Sequence, residues 1–245
     1  MKVSKQEKAL TRKRILRAAS DVISEKGYKS ASMREIARRA EVGDATIYNY
    51  FPTKESLLYG YCEEKQQEVE EALKQITDFH EYSLREQLQQ LTETELALWL
   101  PDREFLTEVF TLTFSAPVAG IANLAETRRR FNRMVEEMID AAIEAGEIPD
   151  QPYKELLAPL YWDYFSGILA FWLKDDSENY ANTTQLVDRS VEIIAMVLQT
   201  AMIGKTLDLF SFLFRSQISH HLEKLGDYTS PWKQAKRRFM AGKDE

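Results

Sequence analysis

Along the N-terminal quarter of the chain the apolar positions keep a helical rhythm. Ile15, Ala18, Ala19, Val22 and Ile23 recur at three- and four-residue steps, which predicts an amphipathic helix ending at Gly27 as a C-cap. Ser32-Met33-Arg34-Glu35 then reads as a capping box, the serine oxygen accepting from the third helical amide and the glutamate reaching back to the cap amide. A short helix over about Met33 to Ala40 follows. Glu41-Val42-Gly43 supplies a three-residue turn with an apolar plug and a glycine able to take positive φ. The next helix, about Asp44 to Phe51, is stopped by Pro52. With Ile36, Ala37, Val42, Ile47 and Phe51 turned inward, two short helices about a tight turn form a helix-turn-helix, a geometry suited to placing the second helix in a major groove.

The remainder of the chain is helical by the same signs. A long helix is predicted from Glu55 to about Ile76, linking the head to the body and able to act as a lever. A second capping box, Ser83-Leu84-Arg85-Glu86, opens a helix striped by Leu84, Leu88, Leu91 and Leu98 and stopped by Pro101. Further helices are predicted over Asp102 to Ser115, ending at Ala116-Pro117, then from about Ile121 to Gly146, Pro152 to Lys174, Thr184 to Ile203 and Lys205 to Leu225. The last of these carries Phe210, Phe212 and Phe214, and a short basic tail with Trp232 and Phe239 closes the chain. The expected fold is all-α: a three-helix head over 1–58, a larger helical body over 59–226, and a basic tail over 227–245. The most apolar run, Leu156 to Leu173, holds a single charge, Asp163, and contains Pro159, Ser166 and Gly167; it reads as a core or subunit-interface helix, with no membrane partner expected.

Composition agrees and then adds something. Only 9 glycines and 7 prolines in 245 residues argue against a turn-rich β fold. The net charge of −7 looks unsuited to a polyanion until it is divided. Residues 1–58 hold 13 Lys and Arg against 7 Asp and Glu, a net of +6, so the rest of the chain carries −13. A basic head sits on an acidic body. The lone Cys62 excludes an internal disulfide, and the opening MKVSKQEKALTRKR has no apolar leader behind it, so a cytoplasmic setting is expected.

The stretch from Ser32 to Leu58 (SMREIARRAEVGDATIYNYFPTKESLL) resembles the DNA-binding signature of the tetracycline-repressor (TetR) family, through Ile36-Ala37, Val42, Thr46-Ile47-Tyr48, Tyr50-Phe51 and Lys54-Glu55 with Leu57-Leu58. The resemblance implies a homodimeric regulator, usually a repressor, whose head binds a roughly palindromic double-stranded operator. It further implies that a small molecule bound by the body releases the DNA. Carried over residue by residue, it places Arg34, Asp44, Ala45, Thr46, Tyr48, Asn49, Tyr50 and Lys54 at the DNA, with Arg34 fit for a guanine edge and Lys54 for a phosphate. Two positions depart from the family pattern: Gly43 stands where a capping serine is usual, and Ala45 where a glycine is. Asp44 suits the helix dipole and could also accept from a cytosine amino group. The basic stretch Lys2, Lys5, Lys8, Arg12, Lys13 and Arg14 is either a backbone-tracking arm or a solvated charge run.

In the body, the resemblance assigns dimerisation to the helices near 152–174 and 184–203. Trp99, Phe105, Phe110, Phe114, Trp162 and Phe165, with Met134 and Met138, are candidates to line an effector pocket, although an aromatic stripe serves a core equally well. Asp163 pairs, meets water or anchors a ligand. Arg128-Arg129-Arg130 with Arg133 forms a solvated face or the mouth of an acidic-ligand site. His80, His220, His221 and Cys62 show no metal spacing, and no nucleophile elbow or dinucleotide fingerprint occurs, so no metal, cofactor or enzymatic activity is expected. The alternative is a DNA-binding regulator with no small-molecule effector, constitutive or controlled by a partner protein.

Overall fold

The computed structural model describes residues 4–115, 120, 122–151 and 153–200. Among them every regular element is helical: α1 (Lys5–Lys26), α2 (Met33–Arg39), α3 (Asp44–Tyr50), α4 (Lys54–Lys74), α5 (Leu84–Trp99), α6 (Arg103–Ser115), α7 (Ala125–Glu144), α8 (Leu157–Trp172) and α9 (Ala181–Gln199). The expected all-α class holds. The helix near 205–225, the tail over 227–245, His220, His221, Lys2, Ala116, Pro117 and Pro152 lie outside the described residues.

Local chemistry sets the helix ends of the head. Ser4 and Glu7 close a reciprocal capping box at the start of α1, and Gly27, at φ 78°, ends it. The box foreseen at α2 forms only halfway. Ser32 Oγ accepts from the Glu35 amide at 3.2 Å, but the Glu35 carboxylate turns to Lys26 and so joins α2 to α1. The α2–α3 turn also differs from expectation: the left-handed residue is Glu41, at φ 54°, while Gly43 is an extended N-cap at φ −68°. The Val42 amide donates to the Ala37 carbonyl, so the chain reverses two residues earlier and glycine is used only as a tolerable cap. Ile15, Ala19, Val22, Ile36, Ile47, Phe51, Leu57 and Leu58 fill the space between α1, α2, α3 and the start of α4.

Gly60, on α4, has one conspicuous neighbour. A Cβ there would lie 2.8 Å from Cε1 of Phe51, the residue that ends α3. The ring therefore rests directly against the α4 backbone, with the Arg12 guanidinium 5.5 Å from its centre.

Helix α4 belongs to both halves. It touches α1 in the head and α5 and α7 in the body. Below it α7 lies along α8, and α9 closes against α5 and α8. Phe131 of α7, fully buried, stacks on Phe165 of α8 at 5.1 Å and meets the edge of Trp162 at 5.2 Å. The Tyr161 hydroxyl is buried here but satisfied, donating to the Leu88 carbonyl and meeting Thr92 Oγ1, both at 2.9 Å. The apolar run around α8 is thus a core helix on one side only. Leu157, Tyr161, Phe165, Ile168 and Trp172 are buried, while Leu160, Asp163, Gly167 and Phe171 remain exposed. Among the described residues no helix is long and apolar enough to cross a membrane.

Candidate DNA-reading face, interdomain junction and cavity

Ile47 and Phe51 anchor α3 in the head core, which leaves its opposite side outward. Asp44, Ala45, Tyr48 and Asn49 are exposed, with Thr46 and Tyr50 half-buried beside them. Tyr48 is 52% exposed and so is not a packing residue of the head. Arg34, near the start of α2, projects onto the same side, and its Nε donates to Asp44 Oδ2 at 2.9 Å. That bond occupies one edge of the guanidinium. The two terminal nitrogens, on a side chain 86% exposed, keep the fork with which arginine meets a guanine edge or a phosphate.

Lys54 is placed differently from the outward reach its position suggested. Its ammonium donates to the carbonyls of Tyr28 and Ala31 and lies 4.3 Å from the centre of the Tyr28 ring. Burial pulls its pKa down, with Glu108 opposing. The side chain ties the approach to α2 onto the start of α4. The basic N-terminal stretch is also partly committed. It is helical from Lys5, and Arg12 and Lys13 reach Glu64 of α4 at 2.8 and 2.9 Å. Lys5, Lys8 and Arg14 remain exposed.

A polar junction that sequence reasoning did not find joins the head to the body. Asp102, only 2% exposed in the turn between α5 and α6, accepts from Ser20 Oγ at 2.8 Å and Arg17 Nη1 at 3.2 Å, both on α1. From α4 it accepts Tyr61 OH at 2.8 Å and Lys65 Nζ at 2.9 Å. Burial alone would raise the Asp102 pKa, but the bonds from Lys65, Ser20 and Tyr61 outweigh it and hold the carboxyl below the usual range. The next residue, Arg103, points the other way: Nη2 donates to the carbonyls of Trp172 and Asp175 at 2.9 and 3.0 Å, at the end of α8. Two consecutive side chains at the start of α6 thus hold the head and the far body helices. The only local signal is Pro101-Asp102 at a helix start, which says nothing of partners more than 80 residues away.

Between α4, α5, α6, α7 and α8 lies a cavity of about 410 Å³. Its size falls within the ~300–1,000 Å³ usual for small-molecule sites. Of the pocket candidates, Trp99, Phe110, Phe114 and Trp162 line it. The other four do not: Phe105 is fully buried against Tyr61 at 4.8 Å, Phe165 stacks on Phe131, and Met134 and Met138 lie in the core. Helical spacing alone could not separate the two sets. The lining also holds Cys62, Thr127, Arg128 and Asp163. Cys62 is buried, and burial pushes its thiol well above the usual range, so it stays protonated. A second apolar cavity, about 280 Å³, lies among α5, α7, α8 and α9.

A helix-turn-helix head with an open recognition helix, set on a helical body with a cavity, defines a DNA-binding transcriptional regulator. The chain belongs to the TetR family: residues 15–59 match the family model for bacterial regulatory proteins of the tetR family, and residues 87–213 that for the tetracyclin repressor-like C-terminal domain. It is 26% identical over 185 residues to the HTH-type transcriptional regulator LuxR of Vibrio harveyi, covering 76% of this chain and 89% of that one. Among solved structures it is similar to Salmonella enterica GusR, with a TM-score of 0.62 and 21% identity over 82% of this chain and all of the other. The transcriptional regulator FadR from Bacillus subtilis, solved in complex with stearoyl-CoA, gives a TM-score of 0.57 at 22% identity over 77% of this chain and 98% of the other.

Proposed function

We propose that this protein is a repressor that binds a roughly palindromic operator as a homodimer and is released by a small hydrophobic or amphipathic effector held in the cavity. The observation that carries the reading is the outward face of α3, with Tyr48 and Asn49 exposed and Arg34 beside it. Hydroxyls, an amide and a guanidinium can bond phosphates and base edges there, and the exposed residues of α3 have no packing duty to compete with. The setting is the cytoplasm, where the operator lies.

A dimer is supported by the outer sides of α8 and α9. Leu160, Phe171, Leu186, Ile193 and Met196 are 36–56% exposed. Burying such side chains fully is worth about 1.5–3 kcal/mol each, so a second copy pairing α8 and α9 into a four-helix interface recovers what a monomer leaves in water. The effector reading is supported by the apolar cavity and by α6, which lines it and directly follows Asp102, the residue that holds the junction to the head. The fold it shares with the B. subtilis regulator solved with stearoyl-CoA is consistent with a ligand between these helices.

The test is selection of bound sequences from random DNA, with and without a cell metabolite extract. A two-fold symmetric consensus that weakens with extract is expected. A single asymmetric half-site, or binding indifferent to every fraction of the extract, overturns the dimeric or the effector part respectively.

A further inference from the structure

The four arginines clustered near the start of α7 have different surroundings. Arg129 pairs with Glu126 at 2.6 Å, and Arg130 with Glu126 and Glu70 at 3.4 and 3.8 Å. Arg133 is exposed and lies off the cavity. Arg128 alone of the four lines the cavity, and among the described residues no ion pair or hydrogen bond engages its guanidinium. Beside it Thr127 also faces the cavity; it is 5% exposed, yet its hydroxyl has no partner. A buried hydroxyl without a partner costs about 1–3 kcal/mol, which a ligand oxygen would relieve. Both residues belong to the first turn of a 20-residue helix whose N-cap provides no side-chain acceptor, where backbone amides and the helix dipole favour negative charge.

From this geometry we infer that the effector is an anionic amphiphile, its oxyanion head held by Arg128 and Thr127 and its apolar body lying among Trp99, Val109 and Phe110. The inference rests on the effector reading above and assigns its ligand class. An unengaged guanidinium beside an orphaned hydroxyl matches an oxyanion, which can accept from both at once. Apart from Thr113, Asp163 and Ser166 the rest of the wall is apolar, which suits the body of an amphiphile. Asp163 lines the same cavity from α8 and is not within ion-pairing distance of Arg128. Its carboxylate opposes an anion. It therefore discriminates between ligand signs: relieving it helps an acid and harms a cation.

The experiment uses the full chain and three probes of one chain length, dodecanoate, dodecan-1-ol and dodecylammonium, each below its aggregation limit, with quenching of Trp99 and Trp162 fluorescence as the readout. Arg128→Gln, Thr127→Val, Asp163→Asn and the control Arg129→Gln are compared, and circular dichroism checks their fold. Dodecanoate is expected to bind wild type about tenfold or more tightly than the alcohol, as one charge-assisted bond implies. Arg128→Gln removes that preference while the alcohol binds as before. Thr127→Val lowers acid binding less, Asp163→Asn raises it, and Arg129→Gln changes nothing. Equal binding of acid and alcohol, or tightest binding of dodecylammonium with loss in Asp163→Asn, overturns the ligand class and leaves the cavity as an effector site. If no probe binds, and operator binding is indifferent to extract as well, the effector reading fails along with it. No binding of any probe, with extract still active, overturns the assignment of a simple anionic amphiphile.

Discussion

Lys65 and Asp102 meet between α4 and the start of α6, Nζ to Oδ2 at 2.9 Å, with both side chains under a tenth exposed. Removing one member of such a pair leaves the other charged and buried, which costs about 3–5 kcal/mol. Asp102→Asn is therefore expected to lower unfolding stability by about 3 kcal/mol in urea denaturation near neutral pH. The pH dependence has a definite sign. A carboxyl held below its unfolded pKa contributes stability that is present above about pH 4 and is lost as pH falls through the folded pKa. Wild type should therefore lose more stability than Asp102→Asn as pH falls below about 4, other paired carboxyls such as Asp175 giving both proteins an acid limb; identical acid limbs would remove the junction from the account of stability.

Glu95 gives the opposite sign. It is buried on α5, and burial pushes its pKa up to about 7 although Gln66 and Trp99 donate to it. A raised carboxyl contributes stability present below its unfolded pKa near 4 and lost as pH rises to about 7. Glu95→Gln, which keeps the shape and an acceptor for Gln66 Nε2 at 2.8 Å, is expected to raise the melting temperature at pH 8 and to change it little at pH 4. Melting curves at the two pH values decide; equal shifts at both would mean that titration of Glu95 is not the cause.

The bond from Arg34 to Asp44 separates affinity from preference. Arg34→Ala should cost about 1–3 kcal/mol at a selected operator and relax the choice of base at one position. Asp44→Ala leaves the charge of Arg34 but frees its orientation. Tighter binding to random DNA with a reduced specific-to-random ratio is expected in filter-binding or anisotropy titrations. An unchanged ratio would show that Asp44 does not position the arginine.

For Lys54 the informative quantity is the salt slope. With its ammonium donating to Tyr28 and Ala31, Lys54→Met should cost about 1–3 kcal/mol of stability by orphaning those carbonyls. Operator binding at temperatures where the head is folded should keep the wild-type slope against log salt. A slope shallower by about one unit would instead make Lys54 a phosphate contact.

Ile193→Asp tests the α8–α9 surface. The side chain is 56% exposed in the single chain, so the substitution should barely change its stability. Sedimentation should show a monomer, and affinity for a two-fold operator should fall at least about a hundredfold, because two linked heads bind far more tightly than one. A dimer that survives would place the interface elsewhere.

The head could be read closely because its determinants are local. The period of Ile15 to Ile23, Gly27, Pro52 and the paired short helices act over a few residues each, and the elements form as they imply. Where local rules offered two solutions, the outcome depended on neighbours. Glu35 could cap its own helix or reach Lys26, and the turn could use its positive φ at Gly43 or at Glu41. In the body, Phe105 and Phe110 stand five residues apart on α6 and look alike in sequence, yet one is core and the other lines the cavity. What separates them is the arrangement of five helices around that space, which no helical period encodes. Asp102 was illegible for the same reason: its donors come from α1 and α4, brought together only by the complete fold.

The contact of Phe51 with the bare backbone of Gly60 has a geometric consequence for evolution of this chain. The pitch of the recognition helix is gauged by an atom that is missing, so the smallest possible side-chain gain at position 60 displaces the ring that ends α3. In a two-headed reader, a tilt at each head is doubled in the distance between them. Drift at this site would therefore appear first as a new tolerance for half-site spacing, with each head still reading the same bases.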